Sequence, residues 1–148
     1  MQYKYCRKRI IIERYLDTKL GFLPYDYKLY CFDGVCKAIL FIADRDAEKK
    51  GGFYSPNWEF IGLPETRYKR FEVEPDAPES LSEMIRCAED LSRGIPFVRV
   101  DFYDVAGKAV FGEMTFTPTA GLSPAQIKID GHDMGDFIDI HKKGKIIR

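Results

Sequence analysis

The chain has 148 residues, of which 45% are hydrophobic, and this is enough to fill the core of one ordinary domain. Lys plus Arg and Asp plus Glu number 23 each, so no overall field draws the protein to nucleic acid or to an anionic membrane surface. The apolar runs, such as Ile10–Ile12 and Ala38–Ala43, are far shorter than the roughly 20 residues that span a bilayer. Met1–Arg9 is not followed by the apolar stretch of a secretory signal, which favours the cytoplasm.

The cysteines indicate free thiols rather than a zinc site, because no CxxC pair occurs and no histidine is spaced to complete a ligand set. Cys31 and Cys36 flank a turn at Asp33-Gly34 and could face each other across a hairpin. A disulfide between them is the less favoured alternative in a cytoplasmic protein.

The amino-terminal half predicts strands. Lys8–Leu16 is β-branched and apolar, which is typical of a buried strand, and a loop follows it. Asp26–Phe32 and Val35–Ala43 predict an antiparallel hairpin about Asp33-Gly34. Charges, glycines and prolines interrupt every periodicity between residues 44 and 78. That segment is interpreted as a substrate-side insertion with one or two edge strands.

The second half combines a helix with another hairpin. Pro78–Arg93 has its apolar residues on one helical stripe, and Gly94 ends it. Phe97–Asp104 and Lys108–Phe116 predict a hairpin about Ala106-Gly107, and an irregular, aspartate-rich tail follows. The whole is predicted to be an α+β protein with an antiparallel β-sheet and few helices, forming a single domain over residues 1–148.

Period-two alternation in the second hairpin groups its polar residues. Arg99, Asp101 and Tyr103 share one face of their strand. In the partner strand Phe111, Glu113, Thr115 and Thr117 are predicted to share a face, and the turn is expected to bring Glu113 roughly opposite Arg99. One arginine and two carboxylates should therefore form a polar cluster.

Mg²⁺ prefers one or two carboxylates, completed by water and substrate phosphates, and Asp101 and Glu113 could supply them. The guanidinium of Arg99 offers a fork of donors suited to phosphate oxygens. The same three residues also fit a cross-strand salt bridge on a solvated face, and composition does not separate the two interpretations.

The segment Pro96–Gly121 (PFVRVDFYDVAGKAVFGEMTFTPTAG) resembles the metal-binding hairpin of ATP-grasp enzymes, where an R-x-D strand precedes E-x-N. Within that superfamily the chain most resembles the TupA-like group, associated with teichuronopeptide and other cell-surface polysaccharide biosynthesis. The further motifs that carry the resemblance are ERYL, DYKLYCFDG, LSRGIPFVRVD and FGEMTFTP.

The resemblance implies that ATP and Mg²⁺ are the cofactors. It makes Asp101 and Glu113 magnesium ligands and places Arg99, the candidate catalytic residue, on the phosphates. Thr115 stands where most ATP-grasp enzymes have asparagine, so its hydroxyl would bind the metal directly or through water.

The nucleotide side rests on the same resemblance. Glu13, Arg14 and Tyr15 would lie beside adenine, Asp26 near the ribose and Lys28 near the phosphates. A plain surface charge at a strand edge is the competing interpretation for Glu13, Asp26 and Lys28.

The resemblance places the chain in the carboxy-terminal half of an ATP-grasp domain. The amino-terminal half and its glycine-rich flap are then expected to be absent, so that the chain is either a fragment or truncated reading frame or is completed by a second polypeptide. The implied function is ATP-dependent ligation of a carboxylate to an amine through an acyl phosphate. A non-catalytic nucleotide- or partner-binding module and a glycosyltransferase, for which Asp44-Arg45-Asp46 has a suitable spacing, are the alternatives.

Two further groups are not assigned a function. His132 and His141 lie in the aspartate-rich tail at a spacing that fits no standard metal site, so a solvated tail is favoured. Trp58 and its aromatic neighbours could stack on a sugar, but aromatic clusters more often fill a satellite core.

Overall fold

A computed structural model describes residues 7–13, 16, 24–43, 50–64, 68–121, 127–139 and 141. A six-stranded sheet in the order β4-β3-β2-β1-β5-β6, antiparallel throughout, carries the fold, and one α-helix packs against it. The elements are β1 (Asp26–Phe32), β2 (Val35–Ala43), β3 (Lys50–Tyr54), β4 (Phe60–Gly62), α1 (Leu81–Ser92), β5 (Val98–Val105), β6 (Lys108–Thr115), β7 (Lys128–Ile129) and β8 (His132–Asp133), with 3₁₀ turns at Pro118–Gly121 and Met134–Phe137. The predicted α+β class is confirmed.

Both predicted hairpins form with the predicted turns. Asp33 and Gly34 have φ of 48° and 84°, and Ala106 and Gly107 have φ of 53° and 73°. Two left-handed residues in a two-residue turn give the twist that antiparallel neighbours need. The strands β1, β2, β5 and β6 are therefore positioned by local sequence.

The helix covers one face of the sheet. Met84 and Ala88 on α1 pack against Leu29, Val98 and Val100, and all five are fully buried. The carboxylate of Asp104 on β5 ties the start of the helix to the hairpin, because it accepts hydrogen bonds from Ser80 Oγ (2.6 Å), Ser80 N (3.1 Å) and Gly107 N (2.9 Å).

The opposite face has a second, smaller core. Ile127 and Ile129 from the carboxy-terminal segment pack against Leu40, Ile42 and Phe53. The prediction of an irregular, solvated tail is thus wrong in part, because β7 and β8 pair as a short hairpin and Ile127 and Ile129 pack over β2 and β3. The part of this face over β1, β5 and β6 carries the polar residues.

The predicted buried strand over Lys8–Leu16 is wrong where the structure describes it. Residues 8–13 form no strand, and Ile10, Ile11 and Ile12 are 93%, 79% and 92% exposed. Three adjacent isoleucines favour extended backbone, but a strand needs a neighbour for its hydrogen bonds, and these residues have none in the described sheet.

The segment between β2 and α1 contributes two strands, where one or two edge strands were predicted; β4 lies at the edge of the sheet and β3 lies inside it. The aromatic residues of this segment pack into the cores of the sheet rather than a satellite core, because Tyr54 belongs to the core under α1, with Trp58 and Phe60 packed against it, and Phe53 belongs to the second core. The Trp58 ring stacks on Tyr54 at 4.5 Å between centroids, and its indole donates a hydrogen bond to the carbonyl of Pro75. Asp44-Arg45-Asp46 lies outside the described residues.

Cys31 and Cys36 face each other across the first hairpin, as predicted, and both are buried free thiols. A hydrogen bond from Cys36 lowers the pKa of Cys31, whereas the same bond and burial raise the pKa of Cys36.

None of the helices in the described ranges is long and apolar enough to cross a membrane.

Candidate functional site

The polar residues of three adjacent strands meet on the face opposite α1. β1 contributes Lys28, β5 contributes Asp101, and β6 contributes Glu113, and these three are register partners in one row across the sheet. The next row contains Arg99 opposite Thr115. Side chains of register partners point to the same side, so five strand positions far apart in sequence form one patch.

Arg99 is the hub of this patch. Its Nε and Nη2 bind Asp101 Oδ1 and Oδ2 at 2.6 and 2.7 Å, a bidentate pair. Nη2 also donates to Glu113 Oε1 at 2.8 Å and to Thr115 Oγ1 at 3.0 Å. The Thr115 hydroxyl in turn donates to Glu113 Oε1 at 2.7 Å. The arginine therefore fixes both carboxylates relative to each other.

Lys28 joins the same network from the other side. Its Nζ lies 2.6 Å from Asp26 Oδ2 and 2.6 Å from Asp101 Oδ2. The side chains of Asp26 and Asp101 are 2% and 4% exposed, whereas that of Glu113 is 61% exposed. The patch thus has a buried, ion-paired half and an open half.

Burial affects the two central carboxylates differently. Desolvation raises the pKa of Asp101, although Arg99 and Lys28 oppose that rise. The hydrogen bond from Thr115 lowers the pKa of Glu113, and the charges of Arg99 and Lys28 add to this effect. Burial alone would lower the pKa of Arg99, but its bond to Asp101 and the charge of that residue raise it. Arg99 and Lys28 thus favour the ionised form of both carboxylates, and at Asp101 they act against a larger cost of burial.

A cleft of about 510 Å³ opens over this patch. It is lined by Glu13, Leu16, Asp26, Lys28, Asp101, Tyr103 and residues 110–113. Five of the proposed site residues therefore line one cavity: Glu13, Asp26, Lys28, Asp101 and Glu113. Arg99 and Thr115 do not line it, but both are hydrogen-bonded to Glu113, which does. Arg14 and Tyr15 lie outside the described residues.

The predicted register of the second hairpin is wrong because β6 contains a β-bulge. Glu113 lies opposite Asp101, not Arg99, because the pairing shifts between Asp101 and Phe102, where Gly112 is the extra residue on β6. Phe111 pairs with Phe102, whose ring it meets edge-on, so Phe111 and Glu113 do not share a face. Such a bulge reverses the alternation of the strand beyond it.

Sequence reasoning missed several residues of the cleft. Leu16 and Val110 gave no distinguishing signal, and Tyr103 was placed on the correct face but given no role. Tyr30 lies opposite Arg99, and burial raises its pKa while Arg99 opposes the rise. The sequence signal for Tyr30 was its position two residues after Lys28, which places both side chains on the same face of β1.

The donor set suits a hard cation that takes few protein ligands. Within the described ranges no group of three or more His, Cys, Asp or Glu side chains could hold a metal by itself. Asp101 and Glu113 are register partners, which gives the two carboxylates that Mg²⁺ commonly takes when substrate phosphates complete its shell. His132 and His141 are exposed and join no such group.

A family model described as TupA-like ATPgrasp matches residues 1–138. The chain belongs to the TupA-like ATP-grasp family. The match includes both hairpins and α1, so the six-stranded sheet is a TupA-like ATP-grasp sheet, and the row from Lys28 to Glu113 lies at its open face. Comparisons with curated proteins and with solved structures found no match.

The bulge of this TupA-like sheet leads to a prediction. A Cβ added to Gly112 would lie 3.1 Å from the carbonyl oxygen of Asp101 and 3.2 Å from the Tyr103 ring. We expect Gly112→Ala to lower the free energy of unfolding in urea by about 1 kcal/mol, as overpacking does, and to displace Asp101. Gly135→Ala is the control, because nothing lies within 4 Å of its added Cβ. Equal stability of the two variants would contradict the close approach.

Proposed function

We propose that the cleft binds ATP together with Mg²⁺. The protein would thus form the ATP- and magnesium-binding part of a ligase that joins a carboxylate to an amine in cell-surface polysaccharide biosynthesis. The observation that carries the proposal is the row of Lys28, Asp101 and Glu113 on adjacent strands, bridged by Arg99. The row and Arg99 together offer two carboxylates to a metal ion and two cationic side chains to phosphates, at one open cleft. A solvated salt bridge would need neither the burial of Asp101 nor a second cation.

Asp101 and Glu113 are the proposed magnesium ligands, and Thr115 holds Glu113 in place through its hydroxyl. Bound there, Mg²⁺ would neutralise charge on the transferring phosphates. The hydroxyl of Thr115 already donates to Glu113 and accepts from Arg99, so a role through the position of Glu113 is better supported than direct metal ligation.

The remaining polar residues divide between the phosphates and the nucleoside. Arg99 and Lys28 are the cations within reach of the carboxylate row, and we assign them to the phosphates. Asp26, adjacent to Lys28 on the same face, is assigned to the ribose hydroxyls, and Glu13 at the margin of the cleft to the adenine side. Arg14 and Tyr15 keep their proposed place beside adenine through the family resemblance.

The proposed reaction has two steps. An oxygen of the substrate carboxylate attacks the γ-phosphorus of ATP, and the bond from that phosphorus to the β–γ bridging oxygen breaks. ADP departs, and the carboxylate becomes an acyl phosphate. The amine then attacks the acyl carbon, a proton is lost from nitrogen, and phosphate departs as the amide forms. Arg99 would stabilise the charge that builds on the phosphoryl oxygens, which is where most catalysis of such transfers arises.

The role in polysaccharide or teichuronopeptide assembly is proposed from the family association. The same proposal assigns the protein to the cytoplasm, where ATP is supplied.

Calorimetric titration of ATP into the protein, with Mg²⁺ and again with EDTA, tests the binding step. We expect saturable binding that requires Mg²⁺. Release of ADP in the presence of a carboxylate and an amine would support ligation, whereas binding without turnover would favour a non-catalytic nucleotide-binding module. Release of a nucleoside diphosphate from a nucleotide sugar would support a glycosyltransferase instead. A folded protein that gives no heat with ATP would contradict the proposed site.

A further inference from the structure

The carboxylate assigned to the metal is already occupied by cations. Asp101 Oδ2 receives both Lys28 Nζ at 2.6 Å and Arg99 Nη2 at 2.7 Å, and Oδ1 receives Arg99 Nε at 2.6 Å. On Glu113, Oε1 accepts from Arg99 Nη2 and from the Thr115 hydroxyl. A carboxylate oxygen has about two lone-pair positions, so both positions on Asp101 Oδ2 are used.

Asp101 cannot turn away from these partners. Its side chain is 4% exposed and is held by Lys28 on the neighbouring strand β1 and by Arg99 on its own strand, and Arg99 is in turn bonded to Glu113 on β6. Glu113, by contrast, is 61% exposed and can reorient in solvent. Three of the about four lone-pair positions of Asp101 are used, and the fourth, on Oδ1, lies beside the guanidinium of Arg99. A cation that binds Asp101 must therefore displace a cationic side chain or lie against one.

We infer that a divalent metal enters this site only together with a polyphosphate, because the phosphate oxygens take over Lys28 and Arg99 and thereby release Asp101. This inference rests on the proposed function and deepens it. It makes Lys28 the residue that couples metal binding to nucleotide binding, since its single amine bridges Asp26 and Asp101 and has a flexible stem that can swing toward a phosphate.

The charges of the network support this order of events. Three carboxylates (Asp26, Asp101 and Glu113) face two cations (Lys28 and Arg99), so one net negative charge remains. A divalent ion added alone would place two more positive charges beside Lys28 and Arg99 in this partly buried network, which is costly at low effective dielectric. A polyphosphate that arrives with the metal offers anionic oxygens to both cations, which the metal alone does not.

Coupling of this kind is reciprocal, so nucleotide and metal must raise each other's affinity by the same factor. Mn²⁺ is a suitable probe because it takes the same oxygen ligands as Mg²⁺ and its free form is quantified by paramagnetic resonance. The first test uses Mn²⁺ alone. We expect wild type to bind it weakly and Lys28→Met to bind it at least about tenfold more tightly, because Asp101 loses a competing cation of unit charge.

Lys128→Met is the matched control. Lys128 also pairs with an aspartate, Asp133 at 2.8 Å, but both side chains are about 60% exposed and lie outside the cleft. Its Mn²⁺ affinity should equal that of wild type. Lys28→Met binding no more tightly than the control would overturn the inference.

The melting temperature of the protein, measured with and without Mn²⁺, is a second measure of metal binding and can detect weak binding. Mn²⁺ alone should leave the melting temperature of wild type unchanged and should raise that of Lys28→Met, because a ligand stabilises the state that binds it. If the Lys28→Met chain does not fold, the wild-type measurement still decides, since a melting temperature that rises with Mn²⁺ alone would contradict the masking of Asp101.

A second titration separates this inference from the proposed function. ADP is titrated into wild type with Mn²⁺ and with EDTA. Tighter binding with Mn²⁺ supports coupling, whereas equal affinity in both overturns coupling and leaves the nucleotide site standing. No binding of ADP or ATP in either condition contradicts the proposed function. The effect of Lys28→Met on Mn²⁺ alone would still report whether Asp101 is masked.

Discussion

Asp101→Asn should weaken magnesium-dependent ATP binding by about 100-fold or more. The substitution keeps the shape of the side chain but removes the charge that Arg99 and Lys28 share. Loss of one partner from a buried charge network costs roughly 2–5 kcal/mol, and the proposed metal ligand is lost as well. Calorimetric titration with ATP and Mg²⁺ measures the change, and circular dichroism establishes that the variant is folded.

Asp90→Asn is the control for this experiment. Asp90 also pairs with an arginine, Arg93 at 2.6 Å, but the two side chains are 54% and 77% exposed at the carboxy-terminal end of α1, away from the cleft. Its ATP affinity should match that of wild type. A folded Asp101→Asn protein with wild-type affinity for ATP and Mg²⁺ would remove the carboxylate row from the proposed site.

Met84→Ala should lower the free energy of unfolding by about 3 kcal/mol. Met84 is a large, fully buried side chain of α1, packed against the sheet face opposite the cleft. Truncation of a buried methionine typically costs 2–5 kcal/mol, because apolar burial is lost and a cavity is left. Urea denaturation followed by circular dichroism gives this value, with ATP absent so that ligand binding does not add to it.

Leu91→Ala on the same helix provides the comparison. The apolar stripe read from the sequence includes both positions, yet Leu91 is 43% exposed. Its truncation should cost less than about 1 kcal/mol, as exposed substitutions usually do. Equal losses at Met84 and Leu91 would mean that the helix packs through a different side than described.

The two hairpins could be predicted from the sequence because their information is local. Asp33-Gly34 and Ala106-Gly107 favour left-handed turns, and alternating residues on either side fix the strands within a residue or two of their observed bounds. The β1–β2 bounds agree with the prediction throughout. The order of strands in the sheet rests on contacts distant in sequence, and no local pattern predicted that β1 lies beside β5.

Errors arose where alternation or composition was extrapolated. The bulge at Gly112 changes which residue faces Asp101, and a single glycine in a strand does not reveal whether the chain bulges there. Ile10–Ile12 has the composition of a buried strand but no partner strand among the described residues. In the tail, Ile127 and Ile129 are buried although aspartates and glycines surround them in sequence.

The composition of the site could be predicted more fully than its geometry. The motif around Arg99, Asp101 and Glu113 identified the residue types, and Asp101 and Glu113 line one cleft, although the register that brings them together was not predicted. The pairing of Lys28 with Asp101 was not predicted, because it depends on the neighbourhood of β1 and β5. Metal binding and catalysis by these residues stay predictions.

Because β6 lies at one end of the sheet order, the two carboxylates of the site are carried by strands that differ in how firmly they are held. Asp101 belongs to β5, which has hydrogen-bonded neighbours on both sides, whereas Glu113 belongs to β6, which in the described sheet is bonded only to β5. Amide hydrogens should therefore exchange with solvent slowly along β5 and faster along β6. Of the two proposed metal ligands, Asp101 is thus anchored in the interior of the sheet, and Glu113 is carried by a strand that should open more easily than β5.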